Sequence, residues 1–102
     1  MDKVRNKSVD NLMQVIAKMD SADDCYDFFS DLCTIKELQD MAQRFEMAIL
    51  LNGGANYQDV VAAVGTSSAT ISRVNRCLLY GNGGYEKAIA IYKDGVDDGD
   101  KK

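Results

Sequence analysis

An all-α fold of about six helices is what the sequence predicts, and three observations carry that reading. The 102 residues include no proline and are rich in Ala, Leu, Met, Gln, Lys and Glu, which favours helix over strand. Apolar residues return at three- and four-residue steps, as on an amphipathic helix, while strand-like alternation is hard to find. Strong punctuation is confined to glycine and asparagine, at Asn52-Gly53-Gly54, Gly65 and Gly81-Asn82-Gly83-Gly84, where helices stop.

The first helix is expected over about Ser8 to Met19, with Leu12, Val15, Ile16 and Met19 on its apolar face. The second opens on Ser21 as N-cap and carries Cys25, Phe28, Phe29 and Leu32. Asp23 and Asp24 fall in its first turn, where the helix dipole favours negative charge. The third begins at Thr34, which forms a T-x-x-E capping box with Glu37. Leu38, Met41, Ala42, Phe45, Ala48 and Ile49 then trace one face, and Asp40 precedes Arg44 at the spacing of a surface ion pair.

The fourth helix is short, from Tyr57 to Val64 behind an Asn56 N-cap, and Gly65 ends it. The fifth starts after Thr66 or Ser67 and runs to about Tyr80, with Ile71, Val74 and Leu78 on one side. The sixth covers about Tyr85 to Lys93, and Tyr80, Tyr85 and Tyr92 are placed to anchor it. Residues 1–93 therefore form a single helical domain, and residues 94–102, with Asp94, Asp97, Asp98 and Asp100, an acidic flexible tail.

Composition narrows the function. The hydrophobic fraction of 46% can bury a core, though a small one. No apolar run is long enough to span a membrane, and the opening Met-Asp-Lys-Val-Arg lacks the apolar segment of a signal peptide. A cytoplasmic protein is expected. Cys25, Cys33 and Cys77 are an odd number at wide spacing, which fits reduced thiols packed as small hydrophobes. No histidine is present, so the commonest general base and metal ligand is missing. An enzyme and a metal site are not expected.

The net charge of −4 is unusual for a nucleic-acid binder, but its distribution is uneven. Asp20, Asp23, Asp24, Asp27 and Asp31 crowd one stretch, whereas Val60 to Tyr85 contains no acid. From Thr66 to Lys93, Arg73, Arg76, Lys87 and Lys93 face Glu86 alone. Within that region lie a short helix, a glycine and a second helix opened by small hydroxyl residues, a helix-turn-helix over about residues 57–76. Val60, Val64, Ile71 and Val74 are placed to hold the two helices together, although Val61 is larger than the residue usual at its position. Thr66, Ser67, Ser68, Ala69 and Thr70 present small side chains at the start of the second helix, where backbone amides and hydroxyls reach phosphates and base edges. Ser72, Arg73 and Arg76 extend that face, the arginines suited to phosphate or guanine. Double-stranded DNA is the expected partner. The alternative is a helical protein-interaction module that keeps the fold without reading DNA, which the acidic balance permits.

The run Leu32-Cys33-Thr34, the helix through Arg44, the segment Ala69-Thr70-Ile71-Ser72-Arg73 and the order of six helices resemble the Trp repressor family. The resemblance extends over about Asp31 to Lys93 and is most specific in the helix-turn-helix. It implies an intertwined homodimer acting as a transcriptional repressor, with recognition helices in successive major grooves. It also implies a tryptophan corepressor site between two arginines, matched here by Arg44 and Arg73, with a threonine-bearing turn from the partner subunit, matched by Thr34. Val74 stands where the family has a glycine beneath the ligand, and Cys77 where it has a serine. An isopropyl group there takes the space of an indole ring, so tryptophan is expected to bind poorly. A smaller anion or no effector are the remaining options.

Overall fold

The computed structural model describes residues 5–95. Six helices follow in order: α1 (Lys7–Lys18), α2 (Ala22–Leu32), α3 (Ile35–Asn52), α4 (Tyr57–Val64), α5 (Ser68–Tyr80) and α6 (Gly84–Lys93). No strand occurs among the described residues. The expected acidic tail falls almost entirely on residues 96–102, outside the described part. No described helix is long and apolar enough to cross a membrane.

The chain divides into two compact units, Met1–Asp40 and Met41–Lys102. In the first unit, local capping sets each helix start. The Asn6 side chain accepts from Val9 N–H at 2.9 Å, so α1 begins one residue before Ser8. Ser21 Oγ accepts from Asp24 N–H at 3.1 Å. Thr34 and Glu37 close the expected box in both directions, at 3.0 and 2.8 Å. Asp40 pairs with Lys36 at 3.2 Å, one turn before it, and not with Arg44 one turn after it. The order Lys36 to Asp40 is the less favourable one for a helix, but it leaves Arg44 unpaired by Asp40.

Neither α1 nor α2 contains a buried residue. Leu12, Ile16, Met19, Cys25, Phe28, Phe29 and Cys33 are half-buried. Val15 and Leu32, expected on the packed faces, are 50% exposed. Phe28 and Phe29 meet edge-to-face with ring centroids 5.7 Å apart.

The second unit holds the core: Met47, Ala48, Val60, Ile71, Val74 and Ile89, with Phe45, Ile49, Leu50, Val64, Leu78 and Tyr85 packed around them. Helix α5 is the central element and packs against both α4 and α6. The stripe expected on α3 is only half right. Ala48, Phe45 and Ile49 do pack, but Met41 and Ala42 are exposed, and Met47, outside the stripe, is 1% exposed. The cause is the uninterrupted run Met47-Ala48-Ile49-Leu50-Leu51. A helix end that is apolar on all sides belongs inside a core and not against one face of it. Phe45 meets Tyr92 edge-to-face at 6.2 Å, and Tyr85 joins the core, whereas Tyr80 is 82% exposed and anchors nothing.

Gly81 ends α5 for a steric reason. A Cβ there would collide with the Cys77 carbonyl oxygen. Gly83 then provides the entry to α6, which starts at Gly84, one residue before the expected Tyr85.

Candidate nucleic-acid interface

Helix α4 begins with a reciprocal box. Asn56 Oδ1 accepts from Asp59 N–H at 2.8 Å, and the Asp59 carboxylate accepts in return from Asn56 N–H at 3.5 Å. After the eight residues of α4 the chain turns sharply at Gly65, whose φ of 74° and ψ of 43° lie in the left-handed region. Its N–H donates to the Val61 carbonyl at 2.8 Å and closes the last turn of α4. Nothing lies within 4 Å of where a Gly65 Cβ would sit, so the demand for glycine here is conformational. Gly65, Thr66 and Ser67 make up the whole turn.

The turn is held by apolar contact below and hydroxyl bonding above. Val60 and Ile71 are fully buried and Val74 nearly so, with Val64 half-buried beside them. This is the set expected to lock the two helices. Val61 is exposed, so its extra bulk meets solvent and does not force α4 away from α5. Ser67 settles as the N-cap of α5: its Oγ accepts from Thr70 N–H at 3.2 Å and lies 3.1 Å from Thr70 Oγ1.

On the outer face of α5, Ser67, Ser68, Ala69, Ser72, Arg73 and Arg76 are all exposed, while Thr66 and Thr70 are half-buried. No acid occurs in the sequence from Val60 to Tyr85, which takes in the end of α4, the turn and the whole of α5. Among the described residues Lys36–Asp40 is the ion pair present, so Arg73 and Arg76 have no carboxylate partner there. An exposed helix with uncompensated guanidinium groups and small residues at its N-terminal end is chemically equipped to meet phosphate and base edges.

Behind Arg73 is a cavity of about 160 Å³, lined by Arg44 of α3, Thr70, Arg73, Val74 and Cys77 of α5, and Tyr85 of α6. It brings together two residues named from the sequence as effector ligands, Arg44 and Arg73. The third, Thr34, caps α3; the resemblance assigns its role to the partner subunit's copy. Tyr85 and Thr70 were not read as lining residues. Tyr85 reaches the cavity from a different helix, and no local pattern in the sequence signals that. Burial raises the pKa of the Tyr85 phenol, the neighbouring Cys77 adds to the rise, and Arg44 opposes it. The phenol is therefore neutral at physiological pH and keeps its O–H to donate. Cys77 is exposed, in contrast to the packed thiol expected, while Cys25 and Cys33 are half-buried. Among the described residues no cluster of side chains suited to a metal ion occurs.

Fold and site together define an all-helical helix-turn-helix protein. The Trp repressor protein family matches the chain over residues 7–92, and the chain belongs to that family. The uncharacterized protein YerC of Bacillus subtilis (strain 168) is 47% identical over 94 residues, which is 92% of this chain and 90% of YerC. A crystal structure of a TrpR-like protein from Eubacterium eligens superposes with a TM-score of 0.86 at 40% identity, covering 95% of this chain and all of that one. A crystal structure of a candidate Trp repressor from Staphylococcus aureus gives 0.85 at 34% identity, covering 94% of this chain and 96% of that one. The resemblance read from the Ala69–Arg73 segment therefore extends into the N-terminal helices as well.

Proposed function

We propose that this protein is a cytoplasmic transcriptional regulator, a repressor in the manner its family name implies, that reads an operator in double-stranded DNA as a homodimer. The observation that carries the reading is the exposed, acid-free face of α5. It sets Arg73 and Arg76 beside Ser67, Ser68, Ala69 and Ser72, over a turn fixed by Gly65. Thr66 and Thr70 border that face. Helix-turn-helix dimers, Trp repressor among them, place the second helix in the major groove with half-sites about one helical turn apart. Family membership supports the same class of function.

Dimer formation has its own support. α1 and α2 span 12 and 11 residues, and their apolar side chains are at most half-buried. Helices of that length are marginal alone in water, so their apolar faces need a partner, and a second copy gives the two-fold symmetry a palindromic operator requires.

The −4 net charge permits the second reading, a protein-interaction module. The two separate on salt dependence. Selection of bound duplexes from fragmented genomic DNA, followed by titration against the enriched sequence, should give an affinity that falls steeply with salt. Failure to enrich any sequence at low salt would favour the interaction module.

A further inference from the structure

We infer that Asn82 is a site of spontaneous covalent modification, where the Asn82-Gly83 pair closes to a cyclic imide and opens to aspartate or its β-linked isomer. The second such pair, Asn52-Gly53, is held inert by the end of α3. The reaction is intrinsic to the chain and independent of DNA reading.

The chain holds two Asn-Gly pairs, Asn52-Gly53 and Asn82-Gly83. Asparagine is a thermolabile residue. A following glycine makes it more so, because no Cβ hinders attack on its side chain by the next backbone nitrogen. The Gly83 nitrogen, deprotonated by solvent base, bonds to Asn82 Cγ. The Cγ–Nδ2 bond breaks, and ammonia leaves with a proton returned by that base. Water then adds to either imide carbonyl. Attack at Cγ gives aspartate, and attack at the main-chain carbonyl carbon gives the β-linked isomer.

Both asparagines are exposed, so water reaches each of them. Their backbones differ. Asn52 is the last residue of α3, and Gly53 N–H donates to the Ile49 and Leu50 carbonyls, each at 3.1 Å. Gly54, left-handed at φ 97°, donates to the Leu51 carbonyl at 3.1 Å, and Ala55 N–H to the Leu50 carbonyl at 3.0 Å. That is the Schellman closure of a helix, and Leu50 and Ala55 both pack on the core. Asn52 can react only after this closure opens.

Asn82 has no such restraint. It lies between α5 and α6, outside both helices. Gly83 N–H, the nucleophile, donates to no carbonyl among the described residues. Gly81 and Gly83 flank Asn82 and let the link take up the rotation that ring closure requires. Reaction places an acid in the stretch from Val60 to Tyr85, which otherwise has none. The β-linked product also adds a main-chain carbon to the short link Gly81–Gly83. That link sets α6, which brings Ile89 and Tyr85 to the core, so the longer connection loosens their packing.

Ageing the full chain at mildly alkaline pH, below its melting temperature, followed by site-resolved mass spectrometry tests this. Cleavage after lysine and arginine puts Asn82 in residues 77–87 and Asn52 in residues 45–73, so the two are read apart. An unaged sample sets the background. In the folded protein Asn82 should convert at least about tenfold faster than Asn52, which must wait for the helix end to open. In guanidinium chloride, which removes that protection, the two rates should converge to within about twofold. A smaller ratio in the folded chain, an unmodified Asn82, or a gap that survived denaturation would each overturn the assignment. The aged fraction, separated by its extra charge, should melt below Asn82→Asp, which has the charge without the added carbon. Equal melting would overturn the effect on α6 alone.

Discussion

Ser67 and Thr70 share two contacts: the Ser67 hydroxyl accepts from the Thr70 amide at 3.2 Å and lies 3.1 Å from the Thr70 hydroxyl. The pair joins the start of α5 to a residue that lines the cavity behind it. It also means that Ser67, placed among the DNA contacts by sequence, already uses its oxygen as a helix cap. Ser67→Ala should cost about 1 kcal/mol in stability, the usual effect of losing an N-cap. Urea unfolding measures it, and an unchanged midpoint would show that the cap contributes nothing here.

Gly65 tests the turn itself. Its left-handed conformation suits glycine, and a Cβ added there would meet open space. Gly65→Ala should therefore destabilise by roughly 1–2 kcal/mol through backbone strain alone. Gly65→Asn should cost less, since asparagine tolerates that region better. Equal losses for the two would point to a clash that the structure does not contain.

The sequence was a good guide wherever structure is decided within a few residues. Ser21, Thr34 with Glu37, and Asn56 cap the helices they were expected to cap, because each bond spans three positions. Val60, Ile71 and Val74 are buried because the helix period places them on facing sides of one turn. What failed depends on several elements at once. Met47 is buried because α3 ends inside a core, and Val15 and Leu32 are exposed because period alone does not say which stripe finds a partner. At the site, Arg44 and Arg73 were found from the resemblance. Tyr85 was missed because only the packing of α6 on α5 brings it there.

Ile71 and Arg73 are two residues apart and should respond oppositely to truncation. Ile71 is fully buried between α4 and α5, so Ile71→Ala should lose about 2–5 kcal/mol of stability. Arg73 and Arg76 are exposed and free of ion pairs among the described residues. Arg73→Ala and Arg76→Ala should keep the native circular dichroism and melting behaviour while weakening DNA binding. Each lost phosphate contact lowers the salt slope by about one. A loss confined to one base position would instead identify a guanine contact. Unchanged affinity in a folded variant would remove that arginine from the interface.

The homodimer is the prediction with most at stake for the N-terminal unit. Among the described residues α1 and α2 bury no side chain, and Met13, Val15, Tyr26 and Leu32 are each at least half exposed. An amphipathic helix of 12 residues gains little from its own backbone bonds in water. Most of its stability must come from covering the apolar face. Without a partner, both helices should fray and expose apolar side chains to solvent. With a second copy, those faces become an interface. Light scattering at micromolar concentration should therefore give twice the chain mass. Val15→Asp, which alters an exposed apolar position and no residue of the Met47–Ile89 core, should shift the protein toward monomer and lower its helical signal on dilution. A native chain that stays monomeric with full helicity would show that α1 and α2 are stable without a second copy. DNA reading by paired recognition helices would then have to be abandoned as well.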